Sequence, residues 1–385
     1  TARLPTIASF ARKGDPINPA LGTSRAPGPR PRSFAASPAA KTIRTEYAVC
    51  AAPVRNRPGA RCRRDAARHA TDQNQKDRSM PPVSHYLTCA GREIHYMDWP
   101  AGPLLPASDW PGDATAPARS RGTVIAWHGL ARTGRDMDEL AEHLSLQGWR
   151  VICPDTLGRG LSQWSPDPGH EYCLAFYARL ARELLDQLGI ERAHWVGTSM
   201  GGAIGMVCAS GYFEPGLKPR IRSLVLNDNA PQLAQPAIER IKAYAGNPPA
   251  FATVLELEAF FRQVYAPFGW LSDAQWRRLT ETSTRRLADG RVTPHYDPAM
   301  VRQFTDHPDD YRIWEHYDAL EIPVLCLRGA ESDLVLPETT AEMQRRGPAL
   351  RGQLQVLEVP GCGHAPALNV PEQLDRITAF LGSVQ

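Results

Sequence analysis

The chain has 385 residues, of which 42% are hydrophobic and 22% charged, enough for one large globular domain or two medium ones. The formal net charge of +3 hides an asymmetry, because residues 1–79 hold 13 Arg and 3 Lys against five acidic residues. That basic surplus lies in a segment without a folded pattern, which argues against nucleic-acid binding. No apolar run approaches the roughly 20 residues that cross a bilayer, so we expect a soluble protein that does not insert into membranes.

Residues 1–79 are rich in Ala, Arg, Pro and Ser and show neither a helical nor a strand period. This composition predicts a disordered basic tail. A targeting segment is one alternative, because the stretch is rich in Arg and poor in acids. A stretch foreign to the natural protein is another, because an ordinary globular pattern begins directly after Met80.

The globular pattern opens with two alternating segments, 85–90 and 93–99, which predict a β-hairpin around Gly91. Residues 100–121 are rich in Pro, Gly and Ala and predict a surface loop. Apolar strands then alternate with helices. The predicted strands are 123–127, 150–153, 193–196, 221–226, 323–328 and 353–359, and the predicted helices are 136–147, 172–188, 200–209, 338–346 and 371–381. Such βαβ units predict an α/β fold with a mostly parallel sheet of about eight strands and helices on both faces.

The alternation stops at residues 230–318, where helical segments such as 236–245 and 254–264 follow each other without strands. We interpret this as a helical cap inserted after the sixth strand, between core segments 80–229 and 319–385. The cap is rich in aromatic residues, which suits an apolar pocket, but aromatics at helical spacing more often pack a core. No cap residue is therefore assigned to a substrate.

Ser199 is the candidate nucleophile. The sequence Gly197-Thr-Ser199-Met-Gly201 lies between an apolar strand and a helix of small residues. In that context G-x-S-x-G forms a nucleophile elbow, a crowded turn that lifts the Ser hydroxyl above the sheet. A glycine-rich turn with an ordinary Ser is the competing interpretation.

A Ser hydroxyl needs a base, and His364 is the candidate. It follows an apolar strand in Pro360-Gly-Cys-Gly-His364 and precedes the last helix, so its loop can reach the elbow. The base needs a carboxylate, and Asp333, after the strand 323–328, is preferred. Glu331 is the local alternative, and Asp228, at the end of strand 221–226, is the other strand end from which an acid could reach.

A developing oxyanion needs preorganised N–H donors. We expect the backbone N–H of Met200, the residue after the nucleophile, and that of Leu130, which follows His128-Gly129 at an early strand end. His128 itself is interpreted as a scaffold residue that braces this loop.

Together, His128-Gly129, Asp155-Thr-Leu-Gly158-Arg-Gly160-Leu-Ser162, the elbow, Gly329-Ala-Glu-Ser-Asp333 and Gly363-His364 resemble the α/β-hydrolase fold superfamily from about Val83 to Leu381. The resemblance implies a serine hydrolase of the carboxylesterase type. Haloalkane dehalogenases and epoxide hydrolases use Asp at the elbow, where this chain has Ser199. Carbon-carbon hydrolases are similar at the elbow, but their oxyanion loop continues with glycines, whereas here it continues Leu130-Ala131-Arg132.

The sequence therefore predicts a hydrolase that cleaves a small carboxylic ester, lactone or hydroxyalkanoate oligomer through an acyl-enzyme and needs neither a metal nor an organic cofactor. Carbon-carbon cleavage or perhydrolysis on the same residues is the first alternative. A catalytically silent binding module is the second. The eight cysteines show no metal or CxxC pattern and predict free thiols in a reducing, cytoplasmic compartment. The oligomeric state is left open.

Overall fold

A computed structural model of the chain describes residues 81–102 and 120–384. Its centre is an eight-stranded sheet. The strands are β1 (Val83–Cys89), β2 (Arg92–Trp99), β3 (Gly122–Trp127), β4 (Trp149–Pro154), β5 (Ala193–Thr198), β6 (Ile221–Asn227), β9 (Val324–Gly329) and β10 (Leu354–Val359). The numbers β7 and β8 belong to a small separate hairpin described below.

The strands lie in the order β1-β2-β4-β3-β5-β6-β9-β10. β2 pairs antiparallel with both of its neighbours, and every other pair is parallel. The predicted fold class, a mostly parallel sheet of about eight strands, is confirmed. The order also places β5 at the centre, flanked by β3 and β6, so the loops that leave these three strands meet at one edge.

Helices cover both faces of the sheet, as predicted. Residues of β3 alternate between the two faces: Ile125 joins one apolar cluster and Val124 the other. The first cluster packs under α2 (Leu174–Gln187) and α3 (Met200–Ser210), and the second under α1 (Asp138–Leu146) and α8 (Pro371–Ser383). All eleven residues of α3 are buried, so this helix lies in the interior and fixes the turn that begins it.

The segment between β6 and β9 carries α4 (Gln235–Ala245), α5 (Val254–Val264) and α6 (Asp273–Thr282), with α7 (Pro337–Met343) following after β9. We call residues 230–318 the insert. Reciprocal capping boxes begin α5 at Thr253 and α6 at Ser272. The insert also contains a hairpin of β7 (Thr284–Arg286) and β8 (Val292–Pro294), so the expectation of helices without strands was wrong there.

The hairpin predicted around Gly91 is present as β1 and β2. The interpretation of residues 1–79 lies outside the described residues, as does most of the loop predicted at 100–121. Six cysteines in the described ranges are free and buried, as the sequence predicted: Cys89, Cys153, Cys173, Cys208, Cys326 and Cys362. Within those ranges the helices are all too short or too polar to serve as a membrane span.

Candidate active site

Ser199 lies in the strained turn that the motif predicts. It joins β5 to α3 with φ 51° and ψ −118°, in a region that residues other than glycine rarely adopt. Its side chain is mostly buried, at 8% exposure, and lines a cavity of about 390 Å³. Strain of this kind persists only where the surroundings impose it, which is typical of functional sites.

The two flanking glycines are required by sterics. A Cβ on Gly197 would lie 2.2 Å from the carbonyl carbon of Gly201, and one on Gly201 would lie 2.2 Å from the carbonyl oxygen of Trp127. Beneath the turn, the indoles of Trp127 and Trp195 stack with centroids 5.2 Å apart, and Trp195 Nε1 donates to the Gly201 carbonyl at 2.9 Å. The local sequence thus fixes the turn and, with it, the position of the hydroxyl.

His364 lines the same cavity as Ser199. Its Nδ1 lies 2.6 Å from Oδ2 of Asp228, which is fully buried at the end of β6. Asp228 also accepts hydrogen bonds from Gly329 N at 2.8 Å and from Ser332 Oγ at 2.7 Å. A carboxylate held by these donors fixes the imidazole with Nδ1 protonated and leaves Nε2 free to accept a proton.

The structure corrects the preferred partner of His364. Asp333 is half exposed and forms an ion pair with Arg240 of α4 instead of contacting the imidazole. That pair lowers the pKa of the Asp333 carboxyl. Glu331, the local alternative, is exposed and lines the cavity, and among the described residues it forms no hydrogen bond or ion pair with His364. The order Ser, Asp, His along the chain holds equally for Asp228, so chain order did not separate the candidates.

Leu130 and Met200 are both buried. Leu130 lines the cavity, and Met200 directly follows Ser199 in the chain. The point where a Cβ on Gly129 would lie is 3.6 Å from Ser199 Cβ, which places the peptide leading to Leu130 beside the nucleophile. Met200 is the first residue of α3, where backbone N–H groups have no partner within the helix. Their role as oxyanion donors stays a prediction.

Arg159 was not recognised from the sequence as a residue of the site. It is fully buried, and its Nε donates to the Leu130 carbonyl at 2.9 Å while Nη2 lies 3.6 Å from Met200 Sδ. Nη1 donates to the Leu157 carbonyl and the Tyr177 hydroxyl. One guanidinium therefore links both predicted oxyanion residues. Its place within Asp155-Thr-Leu-Gly158-Arg-Gly160 was the available signal, but the contacts that matter are distant in sequence.

His128 is a scaffold residue in the structure, as predicted. It is fully buried; Nδ1 lies 2.6 Å from the Gly129 carbonyl, and Nε2 accepts from Thr156 N at 2.9 Å. Burial lowers the pKa of His128 to about 4. The neutral imidazole fits these partners, with Nδ1 donating and Nε2 accepting.

We expect the free energy of unfolding to fall as the pH drops from 6.5 towards 4. Burial lowers the pKa of both His128 and His194 to about 4, so the unfolded chain takes up protons that the folded protein excludes. Their stabilising contribution is complete above pH 6.5 and is lost below it, by at most about 3 kcal/mol for each group. Urea unfolding at pH 7.5, 6.5, 5.5 and 4.5 measures this change. His194→Gln should reduce the dependence, and equal stability at all four pH values would contradict the assignment.

The cavity lies between the core and the insert. Core loops contribute Gly129, Ser199 and His364, and the insert contributes largely apolar residues. The insert residues on the wall include Ile241, Tyr244, Val264, Tyr265, Phe268, Leu271 and Leu279. A mostly apolar pocket with a few convergent polar groups is the usual form of a small-molecule site. A strained Ser, a carboxylate-held His and this pocket over one edge of a parallel sheet define a hydrolase-type site.

A sequence model of the alpha/beta hydrolase fold matches residues 122–369, and the chain belongs to that family. A 3-hydroxybutyrate-oligomer hydrolase of Cupriavidus necator is 41% identical over 268 residues, which cover 67% of this chain and 87% of the relative. An esterase of Mycobacterium tuberculosis is 27% identical, covering 66% of this chain and 80% of that protein. A solved alpha/beta hydrolase of Novosphingobium aromaticivorans superposes with a TM-score of 0.64 at 29% identity, covering 79% of this chain and 99% of that one. The family and these relatives make the chain a hydrolase.

Proposed function

We propose that the protein is a serine hydrolase that cleaves carboxylic esters, with short hydroxyalkanoate oligomers as the favoured substrate class. The observation that carries the proposal is the site itself: Ser199 in a strained turn and His364 held by buried Asp228, both facing one apolar cavity. The relative from Cupriavidus necator, which acts on 3-hydroxybutyrate oligomers by its name, supports the substrate class.

In the proposed reaction Ser199 Oγ attacks the ester carbonyl while His364 Nε2 takes its proton. His364 then gives the proton to the departing alcohol, and an acyl group stays on Ser199. A water activated by His364 hydrolyses that acyl-enzyme and frees the acid and the serine. Asp228 keeps Nδ1 protonated and stabilises the imidazolium in both halves of the cycle.

The negative charge that develops on the carbonyl oxygen is proposed to meet the N–H groups of Leu130 and Met200. The buried guanidinium of Arg159 supports this arrangement, because its nitrogens contact carbonyl and hydroxyl oxygens and a thioether sulfur rather than a carboxylate. A positive charge in a water-excluded interior stabilises nearby negative charge more than it would in water. The free buried thiols support the expected reducing compartment.

We expect a fluorophosphonate probe to label the protein once per chain, because an activated serine attacks phosphorus as it attacks a carbonyl. Peptide mapping by mass spectrometry should find the label on Ser199. The labelled protein should lose turnover of p-nitrophenyl butyrate and of linear 3-hydroxybutyrate oligomers in proportion to labelling. Denatured protein serves as the control and should take up no label.

Other outcomes lead to different functions. Labelling of Ser199 without ester turnover, but with cleavage of a carbon-carbon bond or with peracid formation, would replace the proposed reaction with one of its alternatives. Absence of both labelling and turnover in folded protein would favour a silent binding module. A label mapped to any other residue would contradict the assignment of the nucleophile.

A further inference from the structure

One residue on the cavity wall, Arg132, has a hydrogen-bonding group that the site described above does not use. Its Nε and Nη2 donate to the two carboxylate oxygens of Asp136 at 2.6 and 2.7 Å, and Nη2 also donates to Ser283 Oγ at 2.9 Å. Nη1 is buried and donates no hydrogen bond of acceptable geometry within residues 81–102 and 120–384. Besides Asp136, Tyr265 is another polar residue that acts on the guanidinium and raises its pKa. The side chain is only 5% exposed, and buried N–H donors of charged groups are rarely left unpaired.

The position of Arg132 relates it directly to the nucleophile. The point where a Cβ on Gly129 would lie is 3.6 Å from Ser199 Cβ and 3.9 Å from Arg132 Cγ. The two side chains therefore flank the same glycine on the wall of one cavity. The ring of Tyr265 lies over the guanidinium, 4.5 Å from its central carbon, and holds it in place.

A second unused donor lines the same cavity. Tyr244, on α4, has neighbouring charges at Arg240, Arg132 and Asp333 but no hydrogen bond to any described residue. Burial raises the pKa of its hydroxyl above the ordinary value, so the group stays protonated and can donate. Most of the exposed wall of the cavity is apolar, and the other arginines that line it are held in ion pairs: Arg135 with Asp138, Arg240 with Asp333 and Arg278 with Glu139. The donors of Arg132 and Tyr244 therefore indicate a ligand with a polar end.

We propose that Arg132 Nη1 and the Tyr244 hydroxyl form a subsite for a free carboxylate on the alcohol part of the ester, so that the enzyme prefers hydroxyacid esters with an unblocked acid end. This proposal rests on the proposed ester hydrolysis. In the linear dimer of 3-hydroxybutyrate, the terminal carboxylate is only a few bonds from the carbonyl carbon that Ser199 attacks. Asp136 already neutralises one edge of Arg132, so the second donor from Tyr244 strengthens the binding of another anion.

The test compares the linear 3-hydroxybutyrate dimer with its methyl ester, with release of 3-hydroxybutyrate from the internal ester as the readout. The parent should show a kcat/KM higher by about 10- to 100-fold for the free acid, the range expected for a hydrogen bond to a charged group. Arg132→Met and Tyr244→Phe should each move this ratio towards one. Tyr212→Phe, a change at an exposed tyrosine outside the cavity, should keep the parental ratio.

Tyr244→Phe preserves the ring, so it decides the question if Arg132→Met fails to fold. Equal kcat/KM values of the parent for the two substrates, or variants that lower both values by the same factor, would overturn the subsite. Labelling by the fluorophosphonate and turnover of p-nitrophenyl butyrate are measured on the same samples. A parent that shows no preference between the two substrates but keeps these activities rejects only the subsite, whereas absence of these activities in the parent rejects the proposed function itself.

Discussion

Ser199→Ala is expected to lower kcat for ester hydrolysis by about 10⁶-fold, the size of effect seen when the nucleophile of a serine hydrolase is removed. The change deletes only Oγ, so neither the acyl-enzyme nor the proton transfer to His364 can occur. Alanine retains the Cβ and the same backbone preferences, so the turn at φ 51° should persist. Initial rates with p-nitrophenyl butyrate, together with a urea unfolding curve, measure both consequences.

A matched control for this experiment is Ser223→Ala. Ser223 is also buried but lies in β6, where its Oγ is 2.7 Å from His194 Nδ1, outside the cavity. This variant should keep near-parental kcat even if its stability falls. Ser199→Ala protein that retained substantial turnover while folded would show that another group is the nucleophile.

The position of Ser199 could be predicted because the physical causes of its turn are local. Gly197 and Gly201 are each within two residues of the serine, and both are excluded from carrying a side chain by backbone atoms of that turn or of adjacent β3. A short sequence pattern therefore contains nearly all the information that shapes the elbow. The same holds for the parallel sheet, whose strands show as apolar runs because both faces are covered.

The carboxylate that pairs with His364 could not be predicted from the local sequence. β6 and β9 are neighbours in the sheet, so Asp228 and Asp333 both follow strands that end at the same edge. What separates them is three-dimensional: Asp228 adopts φ 48° and accepts from Gly329 and Ser332 in the interior, whereas Asp333 turns outwards to Arg240. The pairing of Asp333 with a residue of the insert has no signature in the local sequence.

The small hairpin in the insert and the role of Arg159 escaped prediction for related reasons. β7 and β8 have three residues each, too few to establish an alternating pattern. Arg159 acts through Leu130 and Met200, which lie about 30 and 40 positions away in the sequence. Packing between distant segments decides both features.

Asp228→Asn is expected to lower kcat by about 10⁴-fold, the effect of the same change in a Ser-His-Asp enzyme whose geometry stays intact. The asparagine can still accept from Gly329 N through its carbonyl oxygen. Its NH₂ group, however, would meet Nδ1 of His364 as a donor, which favours the tautomer with Nε2 protonated and removes the base. The free carboxylate that would stabilise the imidazolium is also lost. Steady-state kinetics with p-nitrophenyl butyrate measures the change.

Asp333→Asn is the matched variant, because it makes the same chemical change at the acid that the sequence favoured. Its carboxylate is half exposed and pairs with Arg240, and exposed ion pairs contribute little, so kcat should stay within a few-fold of the parent. A large loss in Asp333→Asn with near-parental activity in Asp228→Asn would reverse the assignment and imply that the loop after β9 rearranges when substrate binds. Comparable losses in both would indicate that the two carboxylates act together on His364. Only a large loss of kcat in Asp228→Asn together with a small one in Asp333→Asn supports the proposed roles, in which buried Asp228 orients His364 and Asp333 links the insert to the core.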